Sequence, residues 1–184
     1  FARTTVAVRT DTGRAIVPAR RAIAIRDLLT HTAGISYGTD ELVAPLYAAA
    51  GLGPVAGPGG WYTADKNEPI CASIERLATL PFVAQPGERW VYGYNTDILG
   101  CVVERASGVA LDVFIATRIT GPLGLKDTRF YLPIEQRVRL SAVYASRADG
   151  VVERAPDGPR GQGDYVDGPR RSFAGGAGLL STAH

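Results

Sequence analysis

The sequence is poor in the residues that build metal centres and disulfide scaffolds. Its 184 residues include two cysteines, two histidines and no methionine. Cys71 and Cys101 lie outside any C-x-x-C motif or Cys/His cluster with zinc-ligand spacing, which excludes a zinc module and a disulfide-rich scaffold. We expect both cysteines to be small buried side chains, and they do not fix the redox compartment.

The charge balance and the short apolar runs of the sequence argue against nucleic-acid binding and against a membrane-spanning segment. The net charge of +2 and the charged fraction of 21% lack the basic excess of nucleic-acid-binding proteins, so we expect no nucleic-acid partner. Gly and Pro interrupt the apolar runs before they reach the roughly 18 to 20 residues of a membrane span.

The chain length fits one domain or one large piece of a bigger domain. The start at Phe1, without a signal-peptide pattern, indicates a processed or truncated polypeptide.

Hydrophobic periodicity predicts a mixed α+β chain with helices in its middle part. Alternating β-branched residues predict a strand over residues 4–10. Apolar residues at helical spacing predict a helix over residues 25–33, ended by Gly34 because glycine readily adopts positive φ. The glycine-rich segment 174–178 predicts a tight turn before a helix, and a close approach of its backbone near the rim of an active site is the less favoured alternative. The same patterns predict helices over 40–51, 69–80, 96–108 and 110–120, and short strands near 128–132, 140–146 and 151–155.

Residues 34–38, Gly-Ile-Ser-Tyr-Gly, match the G-x-S-x-G pattern of a serine-hydrolase nucleophile elbow. An elbow serine lies between a buried strand and a helix, whereas Ser36 follows a predicted helix. The triad order also requires a later histidine, and the sequence offers His184 alone. We therefore interpret the glycines as cap and turn residues, and an α/β-hydrolase that uses Ser36 stays a weaker alternative.

Four longer segments carry a family resemblance: IRDLLTHTAGISYG, PGERWVYGYNTDILGCVVERASG, GPLGLKDTRF and FAGGAGLLSTA. Their order and spacing resemble the class C β-lactamase-like serine hydrolases, a group that includes penicillin-binding carboxypeptidases, family VIII carboxylesterases and related acyltransferases. The resemblance covers nearly the whole chain. It implies an α+β fold: the central, mainly helical part of a β-lactamase/transpeptidase-like fold, with an antiparallel sheet, flanking helices and a helical subdomain. Residues 1–184 are then the central portion of a single domain of that kind.

The motif of the family nucleophile is missing from the sequence. In the family, this nucleophile is the serine of an S-x-x-K motif near the N-terminus, and a K-T-G-like or H-x-G-like strand motif comes late. No serine of this sequence is followed by a lysine three residues later, and there is no K-T-G. The resemblance therefore implies that the S-x-x-K region and the K-T-G-like region lie outside residues 1–184.

The segment VYGYN, residues 91–95, matches the position of the family's catalytic tyrosine. By this resemblance Tyr92 is the catalytic tyrosine, which exchanges a proton with the serine hydroxyl or with the leaving group. A phenol with the ordinary pKa of about 10 needs a nearby ammonium for this role, and the family lysine supplies it. Without the family motifs, the alternative is an ordinary half-buried strand tyrosine that is hydrogen-bonded at its tip.

Three further residues, Tyr94, Trp61 and His31, are assigned roles from the sequence. Where β-lactamases carry an asparagine whose amide binds the acylamino side chain of a lactam, this sequence has Tyr94, and Asn95 is shifted by one residue. This variant resembles the esterases, with Tyr94 lining an acyl or alcohol pocket. Trp61 lies in a loop dense in Gly and Pro, residues 51–69, and is a candidate substrate-binding pocket wall. His31 is interpreted as a structural residue that holds a helix end through hydrogen bonds to the backbone.

The resemblance implies ester hydrolysis through an acyl-enzyme, with a small-molecule ester or amide as substrate and with no metal and no organic cofactor. Two alternatives stay open: β-lactamase or D-Ala carboxypeptidase activity, and a non-catalytic fragment or binding subdomain of such an enzyme. The sequence does not fix the oligomeric state or the compartment.

Overall fold

The computed structural model describes residues 1, 3–53, 67–156, 166 and 168–183. Its helices are α1 (Ile25–Leu29), α2 (Ala44–Ala49), α3 (Ile70–Leu77), α4 (Asn95–Ser107) and α5 (Leu111–Ile115). Its strands are β1 (Thr5–Thr10), β2 (Gly13–Pro18), β3 (Arg129–Phe130), β4 (Tyr144–Ser146), β5 (Val152–Arg154) and β6 (Leu179–Leu180). A π-helical turn at Ala116–Thr120 continues α5, and a 3-10 helix spans Ile134–Arg139.

The strands pair as three separate two-stranded antiparallel sheets: β1 with β2, β3 with β6, and β4 with β5. The first is the longest, with Thr5 opposite Pro18 and Thr10 opposite Gly13. The predicted strand at residues 4–10 is therefore confirmed. The helix expected after the glycine-rich segment 174–178 is wrong, because Leu179 and Leu180 are extended and pair with β3. Helices fill the middle of the chain, as the α+β prediction states.

Two helices in the middle of the chain follow their sequence signals closely. The amphipathic spacing places α3 within the predicted range, and Cys71, Ile74 and Leu77 lie on its buried side. Helix α4 ends at Gly108, which adopts the left-handed conformation with φ of 75°. Contacts between α3 and α4 carry much of the packing in this part of the fold.

Helix α1 is shorter than predicted, and the prediction that Gly34 ends it is wrong. The helix stops at Leu29, and His31 takes a left-handed backbone conformation with φ of 55°. Gly34 is needed for a close approach instead, because a Cβ there would overlap the carbonyl oxygen of Ala84. The carbonyl of Gly34 accepts the N–H of Val83 at 2.9 Å, so this turn is joined to the segment that precedes the candidate site.

Cys71 and Cys101 form a disulfide that joins α3 to α4. The expectation that both are small buried side chains is correct in burial, since each is 8% exposed, but it misses the bond. The two residues are 30 positions apart, so only the packing of α3 on α4 brings them together. No local spacing could have shown this pairing.

A main hydrophobic core supports most of these elements, and a second, smaller cluster is formed by Leu111, Phe130 and Tyr131. Residues 82–84 run beside β1: the N–H of Ala7 donates to Phe82 at 2.8 Å, and the N–H of Phe82 donates to Thr5 at 2.8 Å. In the part of the chain that the structure describes, no helix is both long and apolar enough to cross a bilayer. The buried core side chains include Val6, Leu28, Ile35, Tyr47, Ile70, Leu77, Phe82 and Ile98.

Candidate active site

Tyr92 lies in the segment that leads into α4, and its side chain is 57% exposed. Trp90, two residues earlier, is 64% exposed, whereas Val91 between them is 7% exposed. Tyr94, at the N-cap of α4, is 2% exposed. The segment therefore presents Trp90 and Tyr92 outward and uses Val91 and Tyr94 to anchor itself in the core.

The backbone of this segment is held tightly against residues 31–36. The N–H of Val91 donates to the carbonyl of His31 at 2.7 Å. Gly93 approaches the carbonyl oxygen of Ile35 so closely that a Cβ would overlap it. Glycine is therefore required between the two tyrosines, and it fixes the distance between Tyr92 and the turn that follows α1.

Five rings form an aromatic cluster around Tyr92: His31, Tyr37, Trp90, Tyr92 and Tyr94. The ring centroid of Tyr92 lies 5.1 Å from His31, 5.4 Å from Tyr37 and 5.9 Å from Trp90. Tyr37 packs edge-on against Tyr92, and it also packs edge-on against Tyr94 at 4.6 Å. Such edge-on and stacked contacts restrict ring orientation, so the side chain of Tyr92 is exposed but held on several sides.

Asn95 links His31 to the start of α4. Its side chain is fully buried, and Nδ2 lies 3.0 Å from Nδ1 of His31, 3.3 Å from the carbonyl oxygen of Val91 and 3.4 Å from that of Ile35. Because both carbonyls can only accept, the NH₂ group must face them. Nδ1 of His31 is then an acceptor, and the ring proton lies on Nε2.

The outcome for His31 differs in part from the prediction. The residue is structural, but its ring binds the side chain of Asn95, and its backbone carbonyl receives Val91. The Oδ1 atom of Asn95 has no hydrogen-bond donor among the described residues, so the amide is aligned entirely through its NH₂ group.

Asp97 lies in the first turn of α4, next to Tyr37 of the aromatic cluster, and is 3% exposed. Burial raises the pKa of its carboxyl to about 6, although hydrogen bonds from the N–H groups of Gly176 and of Asp97 itself lower it. The hydroxyl of Tyr37 makes a long contact of 3.5 Å with its Oδ2 atom. Burial, and then the Asp97 carboxylate, raise the pKa of the Tyr37 phenol, which therefore keeps its proton.

The backbone of segment 174–178 packs closely against Thr96 and Asp97 at the start of α4. A Cβ on Gly175 would overlap the carbonyl oxygen of Thr96, and one on Gly176 would lie 2.7 Å from the Asp97 carboxylate. The glycines thus allow the chain before β6 to pack on the beginning of α4. This is the alternative that the sequence favoured less.

Tyr94 is buried in the core and does not form an exposed pocket wall. Its hydroxyl accepts the N–H of Gly53 at 2.8 Å, and burial raises the pKa of the phenol to about 12. A substrate-lining role for Tyr94 stays a prediction, as does the catalytic role of Tyr92. Trp61 lies outside the described residues, so its role also stays a prediction.

Ser36 is 4% exposed, and its Oγ accepts the N–H of Gly38 at 3.0 Å within a turn. The segment before it is not a strand, so the context of a nucleophile elbow is missing. Sequence reasoning did not single out Trp90, Asp97 or Tyr37 as parts of the site. The W-x-Y spacing was a usable signal for Trp90, because residues two apart in an extended segment lie on one face.

Metal-ligating groups do not gather around the cluster. Across residues 1, 3–53, 67–156, 166 and 168–183, no group of three or more His, Cys, Asp or Glu side chains could hold a metal ion. The residues around the aromatic cluster offer a phenol, an imidazole and buried amide and carboxyl groups.

Comparison with known proteins places this arrangement in a family. The sequence profile of the beta-lactamase family matches residues 14–184. The chain belongs to the beta-lactamase family. The resemblance and the β-lactamase/transpeptidase-like fold that it implied are thus confirmed.

An uncharacterized protein of Mycobacterium tuberculosis is 38% identical over 90% of this chain and 37% of its own length. Lovastatin esterase of Penicillium rubens is 34% identical over 90% of this chain and 38% of its own length. The solved structure of EstCE1, a hydrolase with promiscuous acyltransferase activity, has a TM-score of 0.67 and 27% identity over 90% of this chain and 44% of that one. The chain therefore spans about two fifths of the length of these relatives, which act in ester hydrolysis or acyl transfer where their names state an activity.

Proposed function

We propose that the protein hydrolyses carboxylic esters of small molecules through an acyl-enzyme, with Tyr92 as the catalytic tyrosine. The observation that carries this proposal is the contrast between two tyrosines. Tyr92 is 57% exposed and oriented by His31 and Tyr37, whereas Tyr94 is buried and its hydroxyl is engaged by Gly53. An exposed, oriented phenol can reach a substrate, and a buried phenol that accepts a backbone hydrogen bond is a structural support.

The reaction proceeds in two halves. A serine of the S-x-x-K type, which we expect outside residues 1–184, attacks the ester carbonyl, and backbone amides bind the oxyanion. The serine proton passes to the Tyr92 phenolate beside the lysine ammonium, the bond from the carbonyl carbon to the alcohol oxygen breaks, and the leaving alkoxide takes that proton from Tyr92. Water then attacks the acyl-enzyme with the same groups acting in reverse, which releases the acid and restores the serine.

The surroundings of Asn95 favour esters over lactams. The amide that could bind the acylamino group of a β-lactam is fully buried and donates to His31, Ile35 and Val91 instead. The name of the lovastatin esterase relative agrees with ester chemistry. β-Lactam or D-Ala peptide hydrolysis is therefore the weaker alternative.

Acyl transfer is a second candidate function. EstCE1, whose fold this chain shares, is described as a hydrolase with promiscuous acyltransferase activity. The two reactions share the acyl-enzyme, and they differ only in whether water or an alcohol attacks it. Adding an alcohol to the ester assay and quantifying the new ester by mass spectrometry separates them.

Tyr92→Phe in the full-length protein tests the main proposal. The substitution keeps the ring that packs on Trp90 and Tyr37 and removes the hydroxyl, so we expect kcat for a p-nitrophenyl ester to fall roughly 100-fold to 10,000-fold with an unchanged fold. Tyr144→Phe is the control, because that side chain is 62% exposed on β4 and takes no part in the cluster.

Two results would contradict the proposal. The first is wild-type turnover by the Tyr92→Phe variant, which would exclude the phenol from the chemistry. The second is a kcat/KM for a chromogenic cephalosporin above that for every ester tested, which would favour the lactamase alternative. A full-length protein that turns over neither kind of substrate would favour a non-catalytic binding role.

A further inference from the structure

Trp90 carries an exposed indole directly beside Tyr92, and the proposed reaction gives it no role. The two ring planes are 16° apart, with centroids separated by 5.9 Å, which is an offset stack. The backbone between the rings is fixed, because Val91 is buried and its N–H donates to His31 at 2.7 Å. The indole is therefore held in a defined position relative to the Tyr92 ring.

Most of the Trp90 indole lies at the surface of the described residues. A side chain of this size that is 64% exposed adds little to the core, and single exposed apolar residues are ordinary, but here a second exposed aromatic ring lies against it. The guanidinium of the preceding Arg89 is engaged elsewhere, because it donates to the carbonyl of Val83 at 3.1 Å. The exposed faces of Trp90 and Tyr92 thus form an apolar surface that suits an apolar group.

The proposed reaction fixes which part of an ester meets this surface. In acylation, Tyr92 gives its proton to the leaving alkoxide, so the alcohol oxygen must come within hydrogen-bond distance of the Tyr92 hydroxyl. The carbon skeleton attached to that oxygen then lies within a few bond lengths of the phenol. Trp90 is the exposed apolar side chain stacked on that phenol.

We propose that Trp90 binds the alcohol part of the ester and makes the enzyme selective for aromatic or other flat, apolar alcohols. This inference rests on the proposed function, since it uses the proton that Tyr92 donates. Trp90 contacts the alcohol while the serine oxygen forms its bond to the carbonyl carbon and the bond to the alcohol oxygen breaks. After the protonated alcohol has left, Trp90 has no partner in the acyl-enzyme, and hydrolysis by water proceeds without it.

The test uses the full-length enzyme and two esters that share one acyl group, 2-naphthyl butyrate and methyl butyrate. Trp90→Ala should lower kcat/KM for the naphthyl ester about 10-fold, because one aromatic contact is lost, and should change that for the methyl ester less than about 2-fold. Trp90→Phe keeps a ring and should recover most of the loss. Tyr144→Ala, which removes an exposed aromatic ring from β4, should change neither value.

Pre-steady-state kinetics separate substrate binding from a general disturbance of Tyr92. Both esters give the same butyryl-enzyme, from which the alcohol that Trp90 contacts has already left. The rate constant of deacylation should therefore be equal in wild type and in Trp90→Ala. Equal losses for both esters, or slower deacylation, would overturn the inference, because Trp90 would then only position Tyr92. No change in either ester would overturn it as well. If the wild type itself turns over no ester, the proposed function fails together with this inference, whereas normal turnover without alcohol selectivity refutes this inference alone.

Discussion

The side-chain amide of Asn95 lies 3.0 Å from Nδ1 of His31, and the same NH₂ group is close to the carbonyl oxygens of Ile35 and Val91. This contact joins three parts of the chain: the turn after α1, the segment that carries Tyr92, and the first turn of α4. One fully buried amide thus ties the segment that carries Tyr92 to the turn after α1.

Replacing Asn95 should destabilise the protein and disturb the site together. Asn95→Ala leaves two buried carbonyls without this donor, and each such loss costs about 1 to 3 kcal/mol, so we expect the free energy of unfolding in urea to fall by roughly 2 to 6 kcal/mol. Asn95→Asp should be at least as harmful at neutral pH, because a carboxylate would face the same carbonyls. Asn67→Ala, at an exposed asparagine, is the control.

Histidine ring NMR provides the matching structural readout. In the wild type the ¹⁵N shifts of His31 should show Nδ1 as the acceptor and the ring proton on Nε2, and Asn95→Ala should shift the Nδ1 signal. A proton on Nδ1, or an unchanged stability of Asn95→Ala, would refute the amide-centred account.

Asp97 should make stability depend on pH below neutrality. Burial raises its pKa from 3.8 to about 6, so the folded protein binds this proton more tightly than the unfolded chain does. The contribution of this group to stability is then fully present below about pH 4 and is lost as the pH rises through about 6, by up to about 3 kcal/mol. Asp97→Asn should flatten the difference in free energy of unfolding between pH 4 and pH 7. Parallel curves for variant and wild type would show that the carboxyl does not titrate in this range.

The disulfide between Cys71 and Cys101 should contribute substantially to stability. It closes a loop across 30 residues of separation, and the chain-entropy estimate for such a loop is about 4 kcal/mol. The double variant Cys71→Ala and Cys101→Ala should therefore unfold at clearly lower urea concentration than the oxidised wild type. Two free thiols, titrated in the unreduced and unfolded wild type, would contradict the bond itself.

Local patterns were sufficient for the elements that pack on the core through one face. Helices α3 and α4 have apolar residues at helical spacing, and Gly108 ends α4 as a residue that tolerates positive φ. The position of Tyr92 came from a resemblance to a family, because nothing in its immediate surroundings distinguishes it from an ordinary tyrosine. Its exposure next to the buried Tyr94 needed the three-dimensional structure.

Contacts between distant parts of the chain explain the remaining differences. Helix α1 ends at Leu29 and not at Gly34, and the place of Gly34 is set by its close approach to Ala84, 50 positions later in the chain. The same holds for Asn95 with His31, for Gly176 with Asp97, and for the two cysteines. Neither hydrophobic periodicity nor propensity records such contacts, since each forms only when separate segments pack together.

The proposed mechanism requires an acyl-enzyme on a serine of the S-x-x-K type, with Tyr92 as the proton-transfer partner. We would label the full-length protein with a fluorophosphonate and map the modified peptide by mass spectrometry. We expect a single adduct on a serine that is followed three residues later by lysine, outside residues 1–184. An adduct on Ser36 would contradict it, since that buried side chain would then be the nucleophile after all.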